Sequence, residues 1–158
     1  MIKKFELPDD LRYNVGPITN PTAYFKQSGC ESWLCLTGEE FAKMKNGMSF
    51  QQVQESTPNS INIISDPPMT LNLDLAEQQM KALDSLPRPT LISCRMGPRA
   101  SAVAYMYSGL KLGAHPKDVI LAAEEANVPF VKSDEYKAWV YDSIEALRAK
   151  SMDIKNGD

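Results

Sequence analysis

Hydrophobic and polar positions along the chain alternate between short apolar runs and stripes of helical period, with turn residues at most of the switches. Asn20-Pro21 predicts a helix start, with Asn as N-cap and Pro at the first helical position, and Gly29 predicts its end. The apolar run at 32–37 (SWLCLT) predicts a buried strand. Phe41 with Met44, then Phe50 with Val53, predict two short helical turns around Asn46-Gly47, inside a less regular stretch from Gly38 to Pro58. Residues 61–65 (INIIS) predict the next strand, closed by Asp66-Pro67-Pro68.

A helix is predicted over 72–86, with Leu73, Ala76, Met80 and Leu83 on one face and Pro87 and Pro89 beyond its end. Residues 90–93 (TLIS) predict a third strand that runs directly into Cys94-Arg95-Met96-Gly97-Pro98-Arg99. From Arg99 an apolar helix carries Ala100, Val103, Tyr107 and Leu110 along one side and stops at Gly113. Two more helices follow, over about 116–127 and 133–150, the second striped by Tyr136, Trp139, Val140, Ile144 and Leu147. Helices interleaved with strands predict an α/β sheet covered by helices on both faces, with a helical C-terminal third. Residues 1–150 read as a single domain and 151–158 as a frayed tail.

Composition narrows the chemistry. The 158 residues carry 17 Lys and Arg against 20 Asp and Glu, a net charge of -3. Without a basic excess the chain is not expected to bind nucleic acid, whose affinity depends on a dense set of cations. A single cleft that holds one small anion is unaffected by that balance. No apolar run approaches the roughly 20 residues of a spanning helix, so no membrane span is expected. MIKKFELPDD has no apolar core of a secretory signal. Three cysteines argue against a disulfide framework and for a reducing intracellular compartment, either the cytoplasm or an organelle after removal of a transit peptide. Cys30 and Cys35 lack two further ligands at zinc spacing, so neither metal nor cofactor is expected. The one histidine, His115, precedes Pro116 and reads as a helix N-cap rather than a catalytic base.

The order strand, Cys94, glycine loop, Arg99, helix has a physical logic. A helix N-terminus offers unpaired N–H groups and partial positive charge. A cysteine placed there is expected to favour thiolate, with a pKa below the free value of about 8.5. Gly97 lets the loop curl into an anion-binding nest, and the Arg99 guanidinium matches two oxygens of a tetrahedral oxyanion. Arg95 has a simpler alternative reading as a solvated side chain on the loop rim.

CRMGPRAS, preceded by TLIS, resembles the active-site loop of the beta-lactamase hydrolase-like phosphatases, a branch of the dual-specificity-type cysteine phosphatase superfamily. Those proteins carry a Cys-Arg-x-Gly-x-Arg loop, with four residues between cysteine and arginine. LRYNVGPITNPTAYFKQSGCESWLCL is similar to that family's opening (an early strand, then glycine, a short helix and a second strand), and INIISDPPMTLNLDLAEQQMKAL to its acid-bearing loop and helix. The resemblance extends from about Leu11 to Gly113 and implies a dual-specificity-phosphatase-like fold and a phosphomonoesterase that needs no cofactor. It implies Cys94 as nucleophile, and Arg99 with the loop residues Arg95, Met96, Gly97, Pro98 and Ala100 as the phosphate cradle. Asp66 is the implied general acid, with Asp74 as its rival. The substrate is then a phosphorylated small molecule or a phosphoprotein; oligomeric state stays open. Three positions depart from the family pattern. Ser93 stands where phosphatases usually have histidine, Ala100 where they usually have Ser or Thr (Ser101 is one place late), and Pro98 has no N–H to give.

Two other readings share the loop. Rhodanese-like sulfurtransferases also use Cys-Arg-x-Gly-x-Arg/Thr, there to hold a persulfide, and a six-residue ring suits a small bound atom. A non-catalytic oxyanion- or phosphoprotein-binding module would use the same nest without turnover.

Overall fold

The computed structural model describes residues 5–66 and 69–156, with side chains described as far as Ser151. Four strands, β1 (Leu11–Tyr13), β2 (Ser32–Cys35), β3 (Ser60–Asn62) and β4 (Thr90–Ser93), form one parallel sheet in the order β1-β4-β2-β3. Parallel neighbours need crossovers, and helices supply them. β2 and β4 are buried at every position, as expected of the inner strands of a parallel sheet covered on both faces.

Helices cover both faces. On one, α1 (Pro21–Ser28) and α3 (Phe50–Ser56) bring Phe25 and Val53 onto Trp33, Cys35 and Leu91. Trp33 is fully buried and stacks on Phe25 at 5.3 Å, so it is core. On the other, Leu34, Leu36 and Ile92 meet α4 (Leu73–Ser85) and α5 (Pro98–Leu112). α6 (Pro116–Glu125), a 3-10 turn (Pro129–Lys132) and α7 (Asp134–Asn156) close over α5, whose residues 100–109 are all buried. The irregular stretch after β2 holds α2 (Glu39–Ala42) and α3, the two short helical turns expected there. Asn20 and Gly29 cap α1, and His115 Nδ1 accepts from the Lys117 amide at 3.1 Å as the N-cap of α6. No helix among the described residues is long and apolar enough to cross a membrane.

Several boundaries differ from the sequence reading. Strand pairing ends at Cys35 and at Asn62, not at 37 and 65. Residues 63–66 instead hang from the end of β2 and the residue after it, by bonds from Ile63 N to Cys35 O and from Ser65 N and Asp66 N to Leu36 O. Pro67 and Pro68, expected to end that strand, lie outside the described residues. Leu73 is 40% exposed because the buried arc of α4 runs through Leu75, Ala76, Gln79, Met80 and Leu83, leaving Leu73 at its margin. α5 begins at Pro98, one residue early, and α7 continues to Asn156, past Lys150. Residues 157–158 of the expected tail are not among those described.

Candidate active site

The central strand β4 ends at Ser93 and the central helix α5 begins at Pro98, so the loop between them sits at the carboxyl end of the sheet, facing a helix N-terminus. Cys94 is 5% exposed, and its Sγ accepts from the amides of Gly97 at 3.0 Å and Ala100 at 3.3 Å. Gly97 has φ +120°, and a Cβ there would stand 2.5 Å from the Asn14 carbonyl oxygen, so both conformation and space demand glycine. Pro98 fills the first helical position, where its missing N–H costs no helix bond.

The end of β1 clasps this loop. Asn14 is fully buried; its Oδ1 accepts from Cys94 N at 3.1 Å, and its Nδ2 donates to Cys94 O and Gly16 O, both at 2.9 Å. Gly16 N donates to Met96 O at 2.8 Å. Ser93 points to the opposite face of the sheet, where its Oγ accepts from Trp33 Nε1 at 2.8 Å. Ser101 Oγ donates to Pro98 O at 3.0 Å, so this hydroxyl is turned away from sulfur and backbone amides hold Sγ instead.

Burial pushes the Cys94 thiol up, against the opposite pull of the amides of Ala100, Gly97, Met96 and Arg99. This corrects the expectation of a lowered value. The helix terminus and loop amides do act in that direction, but the sulfur lies among core residues and desolvation of the thiolate outweighs them. The Arg99 side chain is also engaged elsewhere. Its Nε donates to Tyr136 Oη at 2.8 Å and its Nη2 reaches Met69 O at 3.4 Å. Its Nη1 is buried and has no hydrogen-bond partner among the described residues. Burial raises the Tyr136 phenol, partly offset by Arg99.

Asp66 is 3% exposed at the end of the loop after β3, and its Oδ2 accepts from Arg95 Nη2 at 2.9 Å and Nε at 3.2 Å. Arg95 is therefore not a free rim side chain; it is ion-paired, and its guanidinium lies 5.5 Å from the Phe41 ring centroid. Asp74 is exposed in the first turn of α4, at the helix N-terminus. The structure thus links Asp66 through Arg95 to the loop of Cys94, Arg95, Met96, Gly97, Pro98, Arg99 and Ala100, while Asp74 makes no hydrogen bond or ion pair to these residues among the described residues.

Asn14, Tyr136 and Phe41 escaped the sequence reading as parts of this site. Asn14 directly follows an early strand, a position where a buried amide can reach a neighbouring strand end. Tyr136 carried only the signal of a core stripe, and nothing local distinguishes a phenol that meets Arg99 from one that fills space.

No family model matches the sequence, and no curated protein matches it. Solved structures do share the fold. Tk-PTP, in a mutant form, superposes with a TM-score of 0.71 at 8% identity, over 92% of this chain and 97% of that one. A DUF442 protein from Shewanella putrefaciens CN-32 gives 0.65 at 20% identity, over 92% of each chain. PTPMT1 in complex with PI(5)P gives 0.65 at 11% identity, over 93% of this chain and 97% of that one. The chain shares the α/β fold of these solved structures.

Proposed function

We propose that this protein is a cysteine-dependent phosphatase that hydrolyses phosphomonoesters through a thiophosphate intermediate on Cys94. One observation carries the reading: the loop seats a buried sulfur under converging amides and also holds a buried guanidinium nitrogen, Arg99 Nη1, with no partner among the described residues. An oxyanion bound to the loop would satisfy that donor. The fold supports the same reading, since no strand follows the loop among the described residues and the matching solved structures include Tk-PTP and PTPMT1.

In the reaction, the Cys94 thiolate attacks phosphorus and the bond from phosphorus to the ester oxygen breaks. The loop amides and Arg99 stabilise the equatorial oxygens. Asp66 gives its proton to the departing oxygen, then takes one from the water that attacks phosphorus and breaks the S–P bond. Free phosphate leaves and the thiolate is restored. For Asp66 to act so, Arg95 must leave its carboxylate, and the phosphate oxygens beside the loop offer Arg95 an alternative partner. The substrate is a phosphorylated small molecule, lipid or phosphoprotein; the PI(5)P held by PTPMT1 is a phosphorylated lipid. Three free, buried cysteines are compatible with work in a reducing compartment.

The six-residue ring, closed on Sγ by two amides, also keeps the sulfurtransferase reading in play. A paired assay of the purified protein separates the two: aryl phosphate hydrolysis against thiosulfate-to-cyanide sulfur transfer, each repeated with Cys94→Ser. Phosphate release that disappears in Cys94→Ser is expected. Cys94-dependent thiocyanate without phosphate release would overturn the proposal.

A further inference from the structure

A cleft of about 450 Å³ opens beside the loop, lined by Met96 and Pro98 of the loop and α5 and by Ala126, Val128, Pro129 and Lys132 from the segment after α6. Tyr13 and Val15 complete its walls. Val15 is 73% exposed and Met96 56%, large apolar surfaces left in water on the two segments joined by the bond from Gly16 N to Met96 O. Packing does not require either side chain to face outward, and exposed apolar surface beside a reactive centre favours a ligand that covers it. Lys132, also lining the cleft, is exposed and makes no ion pair or hydrogen bond among the described residues. Of the other cations near the loop, Arg95 is ion-paired with Asp66, and Arg99 is tied through Nε to Tyr136 with Nη1 left for the phosphate.

We infer that this cleft is the subsite for the alcohol part of the substrate, and that it selects phosphomonoesters whose apolar body ends in a second anionic group read by Lys132. The inference rests on the phosphatase reading and names its substrate class. The loop holds the phosphate, Val15, Met96 and Tyr13 cover the apolar body, and the Lys132 ammonium meets the distal charge. Two anionic ends on an apolar spacer match one cradle and one free cation separated by apolar wall. A simple alkyl or aryl phosphate fills the cleft but leaves Lys132 unpaired.

Equilibrium binding tests this without turnover. Benzylphosphonate and para-carboxybenzylphosphonate are titrated into wild-type protein and Lys132→Gln by calorimetry at low salt. The carboxylated compound is expected to bind wild type up to about fivefold more tightly, the upper end for an exposed ion pair. That advantage disappears in Lys132→Gln and in high salt, while benzylphosphonate binds both proteins alike. Equal affinity of the two compounds for wild type, or an advantage that survives Lys132→Gln, overturns the subsite. So does failure of both to bind. If Cys94-dependent phosphate release is nevertheless present, the phosphatase reading stands without the subsite; if it is absent, both fall.

Discussion

At the scale of single residues, the site is a contest between burial and hydrogen bonding at one sulfur. Cys94 has backbone amides aimed at it, which favour the thiolate, and an apolar surround, which does not. Burial prevails, so the charged form is disfavoured and appears only as pH rises past the ordinary thiol value. Alkylation of Cys94 by iodoacetamide in ligand-free protein is therefore expected to accelerate through about pH 8.5 and to go on rising above it. Peptide mapping, with Cys94→Ser as the blank, separates this signal from that of Cys30 and Cys35. A rate already level below about pH 7 would mean that the amides win. Glycine at 97 is fixed by the same geometry, because the loop that brings its amide to Sγ also brings its Cα against the Asn14 carbonyl.

At the scale of elements, the site is assembled from the ends of three units far apart in sequence. β4 and α5 supply the loop, β1 clasps it through Asn14, and α7 reaches Arg99 through Tyr136. Tyr136→Phe keeps the ring and removes only the acceptor for Arg99 Nε. Hydrogen bonds to charged groups contribute about 1.5–3 kcal/mol to stability, so the melting midpoint is expected to fall by several degrees, and kcat/KM for an aryl phosphate to fall about tenfold as Arg99 loses its anchor. Full activity in Tyr136→Phe would remove Tyr136 from the positioning of Arg99. These couplings explain what was legible in the sequence. Cys94, Gly97 and Arg99 are neighbours in the chain, and strand and helix-terminus chemistry place them without tertiary knowledge. Asp66 could be located through the resemblance to a known family, but its ion pair with Arg95 depends on how the loop after β3 hangs from β2. Asn14 and Tyr136 act across 80 and 37 residues of sequence, and no local pattern encodes such contacts. The same limit shows in α4, where periodicity gave Leu73 a core position that the margin of the buried arc denies it.

At the scale of the whole molecule, a mildly acidic chain with a single capping histidine brings a central strand, a central helix and Arg99 together at the loop proposed to hold the oxyanion. Its net charge of -3 does not oppose this, because the attraction is local to amides and one guanidinium. The parallel order β1-β4-β2-β3 is what puts the loop at the middle of the sheet, with α2 and Phe41 on one flank and the Lys132 cleft also bordering the loop. In the proposed reaction the phosphoryl group passes through Cys94, and mass spectrometry of the protein quenched in acid during turnover of an aryl phosphate tests this. The expected result is one phosphoryl group on the peptide that contains Cys94, absent in Cys94→Ser. Phosphate release with that peptide unmodified and with Cys94→Ser still active would contradict it.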